Sequence, residues 1–262
     1  MKMHYVKSLF LGAVSLLILN PSFADNDHQF EFGPEFSHHS LNEKIGGANV
    51  NKLQGPMVGV QGAWLFHMGR NFLSVNSRYL GSKQKYSNKT LETHSKGHDS
   101  LFELRGNFGR DFELLADASI SPYIGIGYRL FRNQAGKSFG GTYTWGHLSG
   151  TNYLYIPIGF DTKFRLQDLL SLTFNAELDV LISGSSKGTR FGRKVETHNS
   201  KGYGLRSSIG LAFDFASFTL EGKPYVRYWS VDASGHKCGF CGRFSQPKTT
   251  STELGFGLSV KL

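Results

Sequence analysis

The last ten residues of the chain alternate between apolar and polar side chains without a break. Leu254, Phe256, Leu258, Val260 and Leu262 share one face of an extended segment, and small or charged residues share the other. A two-residue period predicts a β-strand. On a soluble protein, an apolar strand at the chain end would be an exposed edge prone to aggregation. In a closed transmembrane barrel the apolar face contacts lipid and both edges are paired, so the pattern favours a barrel.

The same alternation recurs in nine earlier segments. In the third segment, for example, Leu73 and Val75 lie opposite Ser74 and Asn76. Short connectors follow the even-numbered segments and longer ones follow the odd-numbered segments, as in barrels with short periplasmic turns and long extracellular loops. The ten predicted strands are residues 29–40, 54–67, 72–87, 100–113, 120–132, 151–166, 171–183, 201–215, 218–232 and 253–262.

The predicted fold class is therefore all-β, an antiparallel transmembrane β-barrel of ten strands. Eight strands is the alternative if the first and third segments are not strands. A secreted β-sandwich is disfavoured, because its strands are shorter and its two apolar faces point at each other.

The N-terminus predicts export. Lys2 and Lys7 precede an apolar run at residues 9–19, and the small residues Ser22 and Ala24 follow it. This order is typical of a secretory signal peptide, and the run is too short for a membrane-spanning helix. We expect residues 1–24 to be a signal peptide. Residues 25–262 would then form a single transmembrane β-barrel domain in the cell outer membrane.

Composition and charge narrow the range of partners. The 262-residue chain has a net charge of +9 and contains 32 glycines and two cysteines. An exported basic chain can contact outer-membrane lipid, lipopolysaccharide or extracellular polyanions, whereas nucleic acid is not expected in that compartment. Two cysteines form neither a disulfide scaffold nor a metal cluster. We predict no cofactor and no metal.

The chain resembles the small outer-membrane β-barrel proteins of Gram-negative bacteria, and the resemblance covers the whole mature chain as a pattern. Its most specific segment is 253–262, ELGFGLSVKL. This segment is similar to the C-terminal signal that such proteins present to the barrel-assembly machinery, although that signal most often ends in an aromatic residue rather than Leu262. The resemblance implies the assembly machinery as a partner, and it identifies no narrower family.

If the apolar face meets lipid, the opposite face lines the lumen and carries charges of both signs. These charges are expected to pair, because a buried unpaired charge is costly. A packed lumen held by ion pairs and a narrow water-filled pore both fit, and glycines such as Gly125 and Gly127 leave room for the pore. The predicted lumen charges are Glu31, Glu35, Arg78, Glu103, Arg105, Arg129, Asp161, Lys163, Arg165, Glu177, Asp179, Arg206, Asp214, Glu221, Lys223 and Arg227, with Glu253 and Lys261 on the same face.

A long loop predicted at residues 184–200 is basic. It contains Lys187, Arg190, Arg193 and Lys194 against a single acidic residue. Such a loop can bind lipopolysaccharide phosphates or a polyanion, and a solvated loop beside the lipid layer is the alternative.

Cys238 and Cys241 lie in the last predicted loop. Export would place them in an oxidising compartment, where a local disulfide is the expected state. The same spacing occurs in redox and metal sites. A redox site needs a βαβ setting, however, and a zinc site needs four ligands, for which only His236 is near.

The predicted function is a structural or surface-interaction role. A narrow channel for small solutes is the main alternative, and an outer-membrane hydrolase is a distant one. Omptin proteases are ten-stranded barrels with a His–Asp pair at the outer rim, and their motif is not visible around His98 and Asp99. Ser40 and Ser200 lie near histidines but have no evident acidic partner, so we predict that the protein is not an enzyme.

Overall fold

The computed structural model describes residues 27–45, 48–88, 93–133, 147–190, 193–234, 237–239, 242–244 and 247–262. The predicted signal peptide lies outside these residues. No helix in the described part of the chain is long and apolar enough to cross a membrane. The described strands are β1 (His28–Ile45), β2 (Ala48–Met68), β3 (Asn71–Asn88), β4 (Thr93–Arg110), β5 (Phe112–Leu115), β6 (Ala118–Asn133), β7 (His147–Gln167), β8 (Leu170–Arg190), β9 (Arg193–Asn199), β10 (Gly202–Asp214), β11 (Thr219–Val231), β12 (Lys237–Gly239), β13 (Gly242–Phe244) and β14 (Lys248–Lys261).

Ten of these strands close into an antiparallel barrel. Around the ring the order is β1, β2, β3, β4, β6, β7, β8, β10, β11 and β14, and β14 pairs back onto β1. The closing pair places Phe36 opposite Phe256. The predicted fold class and the count of ten strands are confirmed.

The outer surface of the barrel is apolar. Ile124 and Ile126 project outward from β6, and the side chain of Ile126 is 56% exposed. Inward residues on the same strand are buried, as Tyr123 and Arg129 show. A wall of this kind reverses the distribution of a soluble protein, in which large apolar side chains form the core rather than a continuous exposed surface.

The long loops predicted after the odd-numbered strands are in part β-hairpins, and this corrects the sequence interpretation. Strand β1 continues to Ile45 and pairs with β2 from Ala48 onward. The segment predicted as a loop at residues 184–200 continues β8 to Arg190 and pairs with β9. The buried face of the β8–β9 hairpin is polar, as Ser186, Thr197 and Asn199 show, so the alternation of apolar and polar residues disappears although the backbone pairing continues.

The opposite rim has short connections. Met68 and Asn71 are joined by a tight turn in which Gly69 has φ of +65°, a conformation that favours glycine. Strand β4 ends at Arg110, earlier than predicted, and the separate strand β5 pairs with β6. The C-terminal residue Leu262 exchanges backbone hydrogen bonds with Phe30 at 2.8 and 3.0 Å, so the last strand is paired to its end at this short-turn rim.

Two apolar clusters fill the hairpin side of the lumen. They are formed by inward side chains near the hairpin ends of their strands. The first cluster is Leu53, Met57, Leu80, Leu101 and Phe131, and the second is Tyr153, Tyr155, Leu181, Trp229 and Val231.

Candidate functional site in the barrel lumen

The middle of the lumen contains a buried ion-pair network centred on Arg78. The Nε of Arg78 donates to Oε2 of Glu103 at 2.6 Å. Its Nη1 donates to Glu253 at 2.6 Å and to Glu35 at 3.0 Å. The side chains belong to β3, β4, β14 and β1, so a single guanidinium connects four strands across the lumen.

Arg206 extends the network on the other side of Glu103. Both terminal nitrogens of Arg206 donate to the Glu103 carboxylate, and Nη1 does so at 3.1 Å. Its Nε lies 2.6 Å from Oδ2 of Asp179 and 2.9 Å from Oε1 of Glu177. Glu103 therefore neutralises two arginines that come from different sides of the barrel.

An arginine lies at each end of the network, and only its Nη1 donates hydrogen bonds to the carboxylates. Arg227 donates through Nη1 to Glu35 at 2.7 Å and to Glu253 at 3.2 Å. Arg105 donates through Nη1 to Glu177 at 2.8 and 2.9 Å. Their strands, β11 and β4, lie on opposite sides of the ring. We call the resulting cross-lumen series the charge chain, which runs Arg227, Glu35 with Glu253, Arg78, Glu103, Arg206, Glu177, Arg105.

Three inward tyrosines brace the charge chain. Burial of a phenol is favourable when its hydroxyl finds a partner, and here each hydroxyl donates to a chain carboxylate. The pairs are Tyr155 with Glu103 at 2.5 Å, Tyr123 with Glu177 at 2.7 Å and Tyr225 with Glu253 at 3.0 Å. The alternation of apolar and polar residues placed these tyrosines on the inner face, but sequence reasoning did not identify them as part of the network.

Each of these tyrosine rings lies over a glycine of the adjacent strand. A methyl group at the glycine would overlap the ring or the phenol oxygen, so the missing side chain creates the space for the aromatic one. The lumen glycines were expected to leave room for a pore. This expectation is wrong at Gly127 and Gly255, where aromatic side chains occupy the room, and Gly159 was not among the glycines considered. The pairs are Tyr155 with Gly127, Tyr123 with Gly159 and Tyr225 with Gly255.

The buried charges of the network balance. Five carboxylates face five arginines, and Glu103 is only 1% exposed. Arg129 has the longest ion-pair distance of the five arginines. Its Nη2 lies 4.0 Å from Glu253, and its guanidinium stacks on Trp229. Removal of one member leaves an uncompensated buried charge, which typically costs about 3–5 kcal/mol. The carboxylates are Glu35, Glu103, Glu177, Asp179 and Glu253, and the arginines are Arg78, Arg105, Arg129, Arg206 and Arg227.

Other predicted lumen charges lie nearer the short-turn rim. Glu221 is buried and contacts Lys261 at 2.8 Å and Lys223 at 3.2 Å, and Lys261 lies 3.8 Å from Glu31. Asp161 accepts a hydrogen bond from Asn175 at 2.9 Å.

Three further residues of the predicted set lie close to the short-turn ends of their strands and outside the charge chain. Lys163 and Asp214 form a partly exposed pair at 3.6 Å, and Arg165 is exposed. Asp214 also accepts a hydrogen bond from Thr219 at 2.6 Å.

A cavity of about 550 Å³ separates the charge chain from the short-turn rim. Arg78, Arg105, Arg206 and Arg227 line its inner end. At the rim it is lined by polar residues that include Asp111. We call this space the vestibule. On its inner side the vestibule ends at the charge chain, and the two apolar clusters lie beyond it.

The remaining candidate residues lie elsewhere. Lys187 contacts Glu196 across the β8–β9 hairpin at 3.8 Å, and both side chains are exposed. Arg190, Arg193 and Lys194 belong to the same hairpin, and their side chains lie outside the described part of the structure. The same holds for the proposed disulfide, because Cys241 and the side chain of Cys238 are not described.

Strand geometry separates some of the hydrolase candidates but not all of them. On β1, His38 is exposed and His39 is buried, so only His38 shares the outer face with Ser40. On β4, His98 is exposed and Asp99 is buried. Consecutive residues of a strand point to opposite faces, so His98 and Asp99 cannot act as an adjacent pair. In the described ranges no group of histidine, cysteine and acidic side chains could hold a metal ion.

No protein-family model and no curated protein matches the chain. Solved structures do share its fold. The outer membrane protease OmpT from Escherichia coli is 9% identical, with 90% of this chain and 95% of that chain covered and a TM-score of 0.58. The translocator domain of the autotransporter NalP from Neisseria meningitidis is 13% identical, with 97% and 96% covered and a TM-score of 0.46. Neisserial surface protein A is 10% identical, with 89% and 97% covered and a TM-score of 0.37.

The closed ring of ten strands, the apolar outer wall and the charged lumen define a β-barrel of the outer-membrane class. The predicted resemblance to this class is confirmed at the level of the fold. A shared fold does not determine function, so function has to be inferred from the lumen and the surface of this chain.

Proposed function

We propose that this protein resides in the bacterial outer membrane as a closed barrel with a structural or surface-interaction role. Its residence there is supported by the exposed apolar wall, because such a surface is unfavourable in water and favourable in contact with acyl chains. A signal peptide at residues 1–24 would deliver the chain across the inner membrane. The paired C-terminal strand would be the element that the barrel-assembly machinery recognises.

The main support for a closed lumen is the charge chain. Arg78 is 6% exposed and bonds to carboxylates from three other strands, so an ion crossing this level would have to displace paired charges. The apolar clusters form a second barrier on the hairpin side, where an ion would lose its hydration.

The surface role is supported by the hairpins that continue beyond the apolar wall. Polar contacts such as Lys187 with Glu196, and Lys248 with Asp232 at 3.1 Å, lie on these hairpins or beside them and are exposed. Lipopolysaccharide and extracellular polyanions are the partners that the basic residues in the sequence of the β8–β9 hairpin would bind.

Planar-bilayer recordings test the closed state. Wild-type protein, refolded and shown to be inserted, is expected to give no conductance steps even at high protein load. A widened variant carries Arg78→Ala and Glu253→Ala to open the charge chain, and Met57→Ala and Leu101→Ala to open the first apolar cluster. Glu35 and Glu103 keep Arg227 and Arg206 as partners in this variant, so no carboxylate is left unpaired.

The widened variant is expected to conduct, and the exposed pair variant Lys187→Ala with Glu196→Ala serves as a matched control that stays silent. Discrete steps from the wild type would overturn the closed barrel and support the narrow channel. Silence of the widened variant would show that these side chains are not what closes the lumen.

The non-enzymatic role is a proposal as well, because one protein that shares the fold is a protease. It is supported by the separation of His98 from Asp99 on β4. Esterase and protease activity that is present in the wild type and lost in Ser40→Ala or Ser200→Ala would contradict it.

A further inference from the structure

We propose that the vestibule is a binding site for a small oxyanion, such as a phosphate or a carboxylate, held at its inner end by the unused N–H groups of Arg105 and Arg227. A volume of about 550 Å³ lies within the range of small-molecule sites. The proposed membrane topology decides only which compartment supplies the ligand, and the site itself can be tested on the protein in detergent.

The first step of the argument is the unused hydrogen-bonding capacity of Arg105 and Arg227. Both line the vestibule, with side chains 20% and 12% exposed. Each donates to carboxylates through Nη1 alone, and within the described part of the chain neither makes a hydrogen bond through Nε or Nη2. The planar guanidinium presents these remaining N–H groups in a geometry that suits carboxylate and phosphate oxygens.

The second step is that the carboxylate partners of both terminal arginines are shared with other arginines. Glu177 also contacts Arg206 at 2.9 Å. Glu35 and Glu253 also contact Arg78, at 3.0 and 2.6 Å. These carboxylates are therefore already engaged from both sides, and the remaining N–H groups of Arg105 and Arg227 bind no carboxylate of the charge chain.

The third step is that the acidic groups of the vestibule wall already have partners. Glu221 accepts from Thr173 at 2.5 Å and contacts Lys261, and Asp161 accepts from Asn175. The free N–H groups of the two arginines are therefore available to donate hydrogen bonds to an anion rather than to the vestibule wall. The Arg227 guanidinium also stacks on the Tyr225 ring, 3.9 Å from its centroid. This contact orients the guanidinium before any ligand enters.

Isothermal titration of the full mature chain in zwitterionic detergent tests the site. Inorganic phosphate and succinate are titrated separately, and glucose serves as an uncharged control. The variants are Arg105→Gln and Arg227→Gln. Arg165→Gln is the matched control, because it removes the same charge from an exposed position that does not line the vestibule. Folding of every variant is checked by its heat-modifiable gel mobility.

At least one anion is expected to bind the wild type, with about tenfold weaker binding in each arginine variant, as the loss of a charge-assisted hydrogen bond implies. Arg165→Gln is expected to bind as the wild type does, and Arg105→Lys to recover part of the loss. Phosphate binding without succinate binding would identify the ligand as a phosphate, and the reverse would identify a carboxylate. Three results would overturn the site: no binding of either anion, unchanged binding in either arginine variant, or an equal loss in Arg165→Gln.

Discussion

Replacement of Glu103 by glutamine tests whether charge balance holds the lumen together. The change keeps the size of the side chain but removes the carboxylate shared by Arg78 and Arg206. It also weakens the acceptor for the Tyr155 hydroxyl. The lumen is left with one excess positive charge at a side chain that is 1% exposed. We expect a loss of about 3–5 kcal/mol in the free energy of unfolding, the usual cost of breaking a buried pair.

The measurement is equilibrium urea unfolding of the barrel in lipid vesicles, followed by tryptophan fluorescence. The matched control is Glu196→Gln, which makes the same chemical change in the exposed pair with Lys187 and should cost about 0–1 kcal/mol. The double variant Glu103→Gln with Arg129→Gln restores the charge balance, because it removes one negative and one positive charge. Arg129 is chosen since it lies opposite Glu103 in the strand register. It is expected to recover part of the loss. A Glu103→Gln variant within about 1 kcal/mol of the wild type would refute the reasoning.

Two further predictions concern the packing of the lumen and the lipid face. Gly127→Ala is expected to destabilise the barrel by about 1–3 kcal/mol, because the new methyl group overlaps the Tyr155 ring, whereas Gly81→Ala has open space and should be neutral; urea unfolding of both checks this. Ile126→Arg is expected to cost about 2–4 kcal/mol in vesicles, because the side chain faces the acyl chains, and a near-neutral result would argue that this face meets water.

The ten strands could be predicted from the sequence because the outward face of each strand is apolar and the inward face is largely polar or charged. Residues such as Ile126 and Arg129 therefore reveal their direction by type alone. The same rule fails where both faces carry polar residues. In the β8–β9 hairpin the buried side chains Ser186, Thr197 and Asn199 are polar, so the pairing left no alternation of apolar and polar residues in the sequence.

The alternation of residue types determined the wall of this protein, its strand number and the set of side chains that face inward. It could not determine which inward side chains meet, because the contact between Arg206 and Glu103 joins residues 103 positions apart across the lumen. Nor could it show that Gly127 makes room for Tyr155 rather than for water. Those choices depend on strand register and barrel closure, which bring the inward side chains together, and so only the tertiary structure decided which of them pair across the lumen.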